Sequence, residues 1–478
     1  MMLTKLATQA RSIPGEEVLE AHQWIADPHA DAAVAAILGP WTGEPPVDRI
    51  DALNAAIRSW QDNASVANGQ AAAGSAPDVA AALKLYLSVA KSLPEWAEPA
   101  RIARAEAMFM DQGALSVTVL FCASLPECYV IPDLASVLHA TGQLEDRAEH
   151  RIRTTGAMIF PVMMRGGLTT PNGAGIAQVL KVRLIHAMIR NLILRGPPDV
   201  AVARMRFMDA AAPGGVIPCL GRAQPGDSMH HALFLHGWDL AGRALPNNQE
   251  ELAYTLLTFS YVYLRSLRRL GIGYPAEAER DYLHAWNVAG HFLGIERALM
   301  VDSMEEAEEL FARMQARGRE HFVKHPLDPD PRPSLGGALM AAMQSVIPDG
   351  PLKPFPVLLT RRLMEKASAR ELGLDGRVSW ISKVMFSMLM RTSRVIDAVV
   401  RVGFPEFSIS RLVTRVIGYR LTCALLMSQT RELSVPGTLR PGIRSLIASW
   451  GQDTHAPKWM NAIEDKLTTS GEWKGLGQ

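Results

Sequence analysis

Apolar residues recur along most of the chain at the three- and four-residue spacing of helices, in segments separated by proline and glycine. No segment sustains the alternation of apolar and polar residues that predicts a β-strand. Ser303 and Glu306 form a capping box at one helix start, and Pro132 and Gly142 bracket another helix. The pattern predicts helices at Asp78–Lys91, Ala100–Gln112, Pro132–Thr141, Glu145–Met164, Ile176–Leu194, Gln249–Leu270, Pro275–Leu299, Ser303–Val323, 334–346, 356–368, 378–402, 408–430 and 439–450.

These segments predict an all-α protein, a single large many-helix bundle over residues 78–450. Residues 1–77 are interrupted by glycine and proline and end in NGQAAAGSAP, so we expect an irregular N-terminal extension and linker. Residues 451–478 are expected to form a C-terminal tail.

The composition is that of a globular protein, with 48% apolar and 20% charged residues among 478. The 22 methionines suit an adaptable apolar cavity, although a compositional bias toward Met explains them equally well. A net charge of +1 argues against a general nucleic-acid binder. No glycine-rich nucleotide motif or GxSxG elbow stands in a strand–turn–helix context.

Charge is unevenly distributed, since residues 361–450 carry 15 Lys and Arg against 6 Asp and Glu, whereas residues 1–60 carry 4 against 8. The basic region predicts either peripheral contact with an anionic membrane or packing on the acidic N-terminal part. The four cysteines show neither metal-ligand spacing nor a disulfide framework. Neither a signal peptide nor a membrane span is recognisable, so we expect a cytoplasmic protein.

The segment IAQVLKVRLIHAMIRNLIL at 176–194 is apolar almost all round, which predicts a buried helix. Arg183, His186 and Arg190 form one polar stripe through it. A haem would satisfy this stripe, with imidazole on iron and the guanidinium groups on the carboxylates. The alternative is a core histidine flanked by arginines that reach solvent.

The preceding segment carries Arg151 and Thr155 on one helix face, with Thr154 adjacent and Met158 continuing the face. A cation and a hydroxyl over an apolar floor suit a bound dioxygen or water. An ordinary amphipathic helix is the alternative.

The loop GDSMHHALFLHGWDL at 226–240 is a third candidate, because imidazoles suit transition metals. Adjacent histidines diverge and a carboxylate motif is missing, so we favour packing of His236 and Trp238 beside a cofactor pocket. His284 and His291 are expected to be core or pocket wall.

The order of these segments resembles that of the latex-clearing (rubber oxygenase) family and its relatives, the fungal oxygenases of mycophenolic acid biosynthesis. The matching pieces are RxxTT at 151–155, VRLIHAMIR at 182–190, LPNNQEELAYTLLTFSYV at 245–262, LRRLG at 267–271 and ERDYLHAWNVAGHFLGI at 279–295.

The resemblance implies a helical fold around one haem b, with His186 as proximal iron ligand and Arg151 and Thr155 on the distal side. Members of that family cleave carbon–carbon double bonds of isoprenoids with O₂. Two departures stand out: Thr154 takes the place of a lysine that can close the distal iron position, and no glutamate base can be matched, with Glu127 and Asp133 only nearby.

Three functions are therefore open. The first is a haem-dependent dioxygenase, an oxidoreductase that acts on an apolar isoprenoid-like or lipid substrate with O₂. The second is a non-catalytic haem- or lipid-binding protein, and the third is a cofactor-free protein of the membrane surface. The sequence does not define the oligomeric state.

Overall fold

Helical segments account for nearly all regular structure in the part of the chain that is described. This computed structural model describes residues 13–40, 43–69, 76–140, 148–207, 215–221, 224, 227–327, 329–345, 347 and 349–400. The all-α prediction is confirmed. The helices predicted at 408–430 and 439–450, and the tail at 451–478, lie outside the described residues.

The N-terminal region differs from the irregular extension that the sequence predicted. It contains four helices, α1 (Glu16–His22), α2 (Pro28–Leu38), α3 (Val47–Ser59) and α4 (Asn63–Ala67). Leu19, Val34, Ile37 and Trp60 are fully buried in the main core. The helices are short and begin or end at proline and glycine, so the punctuation marks their boundaries and not a loop. The domain boundary at residue 77 stays a prediction.

The next group of helices includes a turn that the sequence did not predict. The elements are α5 (Pro77–Tyr86), a 3₁₀ turn (Leu87–Lys91), α6 (Pro99–Gln112), α7 (Ala114–Val119), a π-helical turn (Leu120–Ser124), α8 (Leu125–Cys128) and α9 (Pro132–Ala140). The π turn absorbs an extra residue just before Pro126, which lacks the N–H that a regular helix uses.

The centre of the chain follows the predicted order closely. It comprises α10 (Ala148–Met163), α11 (Gly175–Leu194), α12 (Pro198–Phe207), α13 (Met229–Leu235) and α14 (Leu240–Arg243). Two short antiparallel strands, β1 (Val216–Ile217) and β2 (Trp238–Asp239), pair within the loop-rich region.

The C-terminal described half contains α15 (Gln249–Phe259), α16 (Tyr261–Leu270), α17 (Ala276–Phe292), a 3₁₀ turn (Arg297–Leu299), α18 (Met304–Lys324), α19 (Arg332–Ser345), α20 (Phe355–Leu363), α21 (Lys366–Glu371) and α22 (Trp380–Val400). The capping box of Ser303 and Glu306 is confirmed. The predicted single helix over 249–270 is broken at Ser260, and the helix from 275 ends before Gly294.

Helix α11 is central, because it packs against α2, α4, α10, α13 and α17. Among the described helices, no single helix has the length and hydropathy to cross a membrane. The segments Pro99–Gln112 and Leu115–Cys128, which are bent by 90° relative to each other, reach that length and hydropathy only when they are taken together.

Candidate functional site

Helix α11 is buried along its whole length except at four positions. Lys181, Val182, Ile185 and His186 are half-buried, whereas the other sixteen residues of the helix are buried. At 100° per residue these four positions fall within one sector of about 140°. We call them the open stripe: one accessible face, partly apolar, on an otherwise covered central helix.

Helix α10 packs beside α11 and has accessible positions of its own. Thr154 is exposed, and Thr155 and Met158 are half-buried. Position 151 shares this helix face by spacing, but the side chain of Arg151 lies outside the described part of the structure. The structure therefore brings together the two helices that carry the predicted haem ligand and the predicted distal residues.

The turn between α10 and α11 holds the two helices in a fixed relation. Asn63 of α4 donates through Nδ2 to the carbonyls of Gly167 (2.8 Å) and Thr170 (2.9 Å), and its Oδ1 accepts from the first-turn amide of Ile176 (3.0 Å). A Cβ on Gly167 would lie 2.0 Å from the carbonyl of Pro161. Only glycine fits such a close backbone approach, so the turn requires the missing side chain at this position.

The two arginines of α11 have protein partners that the sequence did not reveal. Arg183 donates from Nε and Nη2 to the two carboxylate oxygens of Asp27, at 2.6 and 2.8 Å, and from Nη1 to the carbonyl of Phe292 at 3.3 Å. Arg190 donates from Nε to Asp31 at 2.9 Å and from Nη1 to the carbonyl of Asn247. These pairs fix α2 against α11.

The pairs add to the interpretation of the polar stripe. Asp27 accepts from two donors of Arg183 in a bidentate ion pair, whereas Asp31 accepts from one donor of Arg190. Arg183 and Arg190 therefore have structural partners on the N-terminal side of the chain, and their predicted binding of cofactor carboxylates stays a prediction. His186 differs from both, because it lies on the open stripe and they do not.

Trp238 lies in β2 and is fully buried, with its indole N–H donating to the carbonyl of Ala244 at 2.8 Å. The guanidinium of Arg243 stacks on its ring at 3.8 Å, and Arg243 also donates to Asp133 at 2.6 Å. The predicted cofactor-binding role of Trp238 stays a prediction, whereas its contact with Arg243, the partner of Asp133, is direct.

The remaining histidines have environments of different kinds. His284 accepts a hydrogen bond from the backbone N–H of Glu98, and Trp96 meets both His284 and His291 edge-on, which fits the predicted core or wall positions. Burial lowers the pKa of His236 to about 4. Within the described residues, no group of three or more His, Cys, Asp or Glu side chains could hold a metal ion.

Glu127 and Asp133, the two carboxylates near the position of the family's glutamate base, both have fixed partners. Glu127 is fully buried and accepts from Arg265 at 2.6 Å and from Gln315 at 3.0 Å. Asp133 pairs with Arg243 and lies 3.2 Å from His321 Nε2. Their partners come from elements more than 100 residues away, which no local pattern could have shown.

Comparisons with known proteins agree with this fold and these helices. A family model described as ER-bound oxygenase mpaB/B'/Rubber oxygenase, catalytic domain, matches residues 107–395. The Rubber oxygenase of Streptomyces sp. (strain K30) is 22% identical over 290 residues, covering 59% of this chain. The chain spans 56% of the length of that relative.

A solved structure, that of latex clearing protein LCP in the closed state, superposes with a TM-score of 0.58 and 18% identity. The superposition covers 86% of this chain and 93% of the other, which shows a shared fold. The family match includes α10, α11, and the helices from α15 to most of α22. Since that match extends over more than half of the sequence, the chain belongs to the family of the mpaB-type and rubber oxygenase catalytic domains.

Proposed function

We propose that this protein is a haem b-dependent oxygenase, an oxidoreductase that cleaves or oxygenates a C=C bond of an apolar isoprenoid-like or lipid substrate with O₂. The observation that carries the proposal is the open stripe: a central buried helix leaves one accessible face, and His186 is on it. Membership of an oxygenase family supports the reaction class.

The open stripe fits the chemistry of a site that would hold a haem through a histidine. A neutral imidazole binds haem iron through a ring nitrogen, and the apolar neighbours Val182 and Ile185 provide the surface that a porphyrin face requires. Haem b, when bound, supplies an iron at which dioxygen is bound and activated.

The residues of α10 would act on the other side of the site. The hydroxyl of Thr155, which is half-buried, would be the hydrogen-bonding group on this face and would orient dioxygen relative to the substrate. Met158 would contribute to the apolar floor for the substrate chain. Arg151 and Thr154 complete this face as proposed catalytic residues, Thr154 in place of the family's lysine.

Replacement of Thr155 by valine tests this assignment, because it removes the hydroxyl and keeps the shape. We expect haem content to be unchanged and oxygen uptake with squalene to fall roughly 100- to 1,000-fold, the usual effect of losing one hydrogen-bond donor at a reacting oxygen. Thr155→Ser should retain most of the rate. Thr169→Val, in the α10–α11 turn, is the matched control. Equal uptake by Thr155→Val and the parent would remove Thr155 from the mechanism.

A non-catalytic haem- or lipid-binding protein is the alternative function. It requires the same open stripe but no reaction at the distal face. Haem-loaded protein that consumes no oxygen with any unsaturated isoprenoid tested, while still binding it, would favour this alternative. The cytoplasmic location predicted from the sequence stays a prediction.

Peripheral contact with a membrane surface is a separate proposal, and helix α22 favours it. Trp380 is 72% exposed and Met388 62% exposed, and the exposed side chains also include Ile381, Val384 and Met385. Lys383 and Arg391 are exposed on the same helix. The sequence has no Asp or Glu between Asp375 and Asp397. Apolar residues with cations beside them are typical of helices that lie on anionic lipid.

Vesicle flotation tests this contact. The full chain should float with vesicles containing 30% anionic lipid, and the double variant Trp380→Ser/Met388→Ser should bind roughly 10- to 100-fold more weakly, since two large apolar side chains are lost from the interface. Val323→Ser, which changes an 80% exposed apolar residue on α18, is the control. Absence of flotation, or a dimer in solution that the double variant dissociates, would contradict the proposal.

A further inference from the structure

The open stripe has a cation at one edge and the proposed iron ligand at the other. Lys181 and His186 are five residues apart, which separates them by about 7.5 Å along the axis of α11. Val182 and Ile185 lie between them on the same face. A ligand that covers the stripe therefore meets an imidazole, an apolar middle and an ammonium group in that order.

Lys181 differs from the other cations of α11 in its partners among the described residues. Arg183 and Arg190 are paired with Asp27 and Asp31. Lys181, in contrast, has no hydrogen bond or ion pair with any side chain in the described part of the chain. Burial alone lowers the pKa of Lys181 to about 8, which means that the charged form lacks the solvation or the counter-ion that it needs.

We propose that Lys181 binds a carboxylate of the molecule that occupies the open stripe. The proposal deepens the proposed function, on which it rests in taking the open stripe as a ligand site. The carboxylate has two possible sources, a propionate of the cofactor or the acid group of an isoprenoid or fatty acid substrate. In both cases the anion restores the charged state of a half-buried amine, and a charge-assisted hydrogen bond in a partly desolvated site is a strong one.

The cofactor source is tested with haem b and haem b dimethyl ester, which differ only in the two carboxylates. Apoprotein is reconstituted with each, and transfer of the cofactor to a haem-scavenging globin is followed by absorbance. Lys181→Met should accelerate the loss of haem b roughly 10- to 100-fold, because one charged hydrogen bond disappears. It should leave the loss of the diester unchanged. Lys181→Arg should preserve haem b retention, and Lys84→Met, at an exposed lysine of α5, is the control.

The substrate source is tested by calorimetric titration of farnesoic acid and its methyl ester. If Lys181→Met weakens binding of the acid about tenfold or more and leaves the ester unaffected, the carboxylate belongs to the substrate. If the methionine variant folds poorly, Lys181→Gln replaces it in both assays. The proposal is overturned if the lysine variants treat each acid and its ester alike in both assays.

Failure of the haem assignment and failure of the Lys181 assignment give different results. Wild-type protein that retains no haem contradicts the haem assignment, whereas the farnesoic acid titration still tests Lys181. Wild-type protein that retains haem, with no acid–ester difference in any variant, contradicts only the role of Lys181.

Discussion

His186→Ala is expected to purify without haem, whereas the wild-type protein from haem-supplemented cells carries close to one haem per chain. The physical reason is that the ring of His186 would be the ligand that holds the haem iron, and its neighbours Val182 and Ile185 on the open stripe offer no replacement. The measurement is the Soret absorbance together with a pyridine haemochrome assay. We expect the ratio of haem to protein to fall about tenfold or more.

Two further variants show whether this loss is specific to the ligand. His230→Ala changes a histidine of α13 and should keep full haem content. His186→Gly should bind haem again when free imidazole is supplied, because the added ring can enter the space that the side chain left. A fully haem-loaded His186→Ala protein would refute the ligand assignment. Circular dichroism shows whether the variant is folded. Recovery of haem binding with imidazole shows that the loss came from the missing ligand and not from unfolding.

The sequence was sufficient to identify α11 and the polar residues along it, but not the partners of those residues. Arg183 and His186 lie on neighbouring faces of one helix, and only the fold separates them. Arg183 turns to Asp27, 156 residues earlier in the chain, and His186 stays on the accessible face. Local spacing determines which residues share a helix face, whereas burial and ion pairing depend on which distant segment packs there.

Helix boundaries also include some that the local sequence determines and some that it does not. The start at Ser303 is encoded locally by two side chains that cap each other, and it was predicted correctly. The break at Ser260 has no local signal, because the apolar spacing continues through LTFSYV and nothing in that stretch disfavours a helix. Asp27 and Asp31 were unremarkable acids in a segment predicted as an extension. Their role depends on α2 packing against α11.

The carboxyl of Glu251 is buried, and its burial changes the pH at which it ionises. It occupies the third position of α15, and its carboxylate accepts from the backbone N–H groups of Asn247 and Asn248. Burial raises its pKa to about 8, the nearby charge of Asp133 adds to the shift, and Arg243 opposes it. The carboxyl is therefore neutral in the folded protein at pH 7.

This shift makes the stability of the protein depend on pH in a defined direction. Below pH about 4.5 the carboxyl is protonated in both the folded and the unfolded chain, so its titration does not lower the free energy of unfolding. As pH rises from about 4.5 to 8, the unfolded chain releases the proton and the folded chain retains it, so the free energy of unfolding falls. Glu251→Gln removes this titration. We expect the stability of the variant, relative to the wild type, to rise by about 4 kcal/mol between pH 5 and pH 8.5.

Urea denaturation of both proteins at pH 5, 6, 7, 8 and 8.5 measures this difference directly. Glu17→Gln, at an exposed position of α1, is the control for the substitution itself and should follow the wild type at every pH. A constant offset between Glu251→Gln and the wild type would show that Glu251 ionises normally in the folded protein. The steepest change should lie between pH 5 and 8, where the folded and unfolded chains differ in bound protons, and not near pH 4, where an unperturbed glutamate would place it.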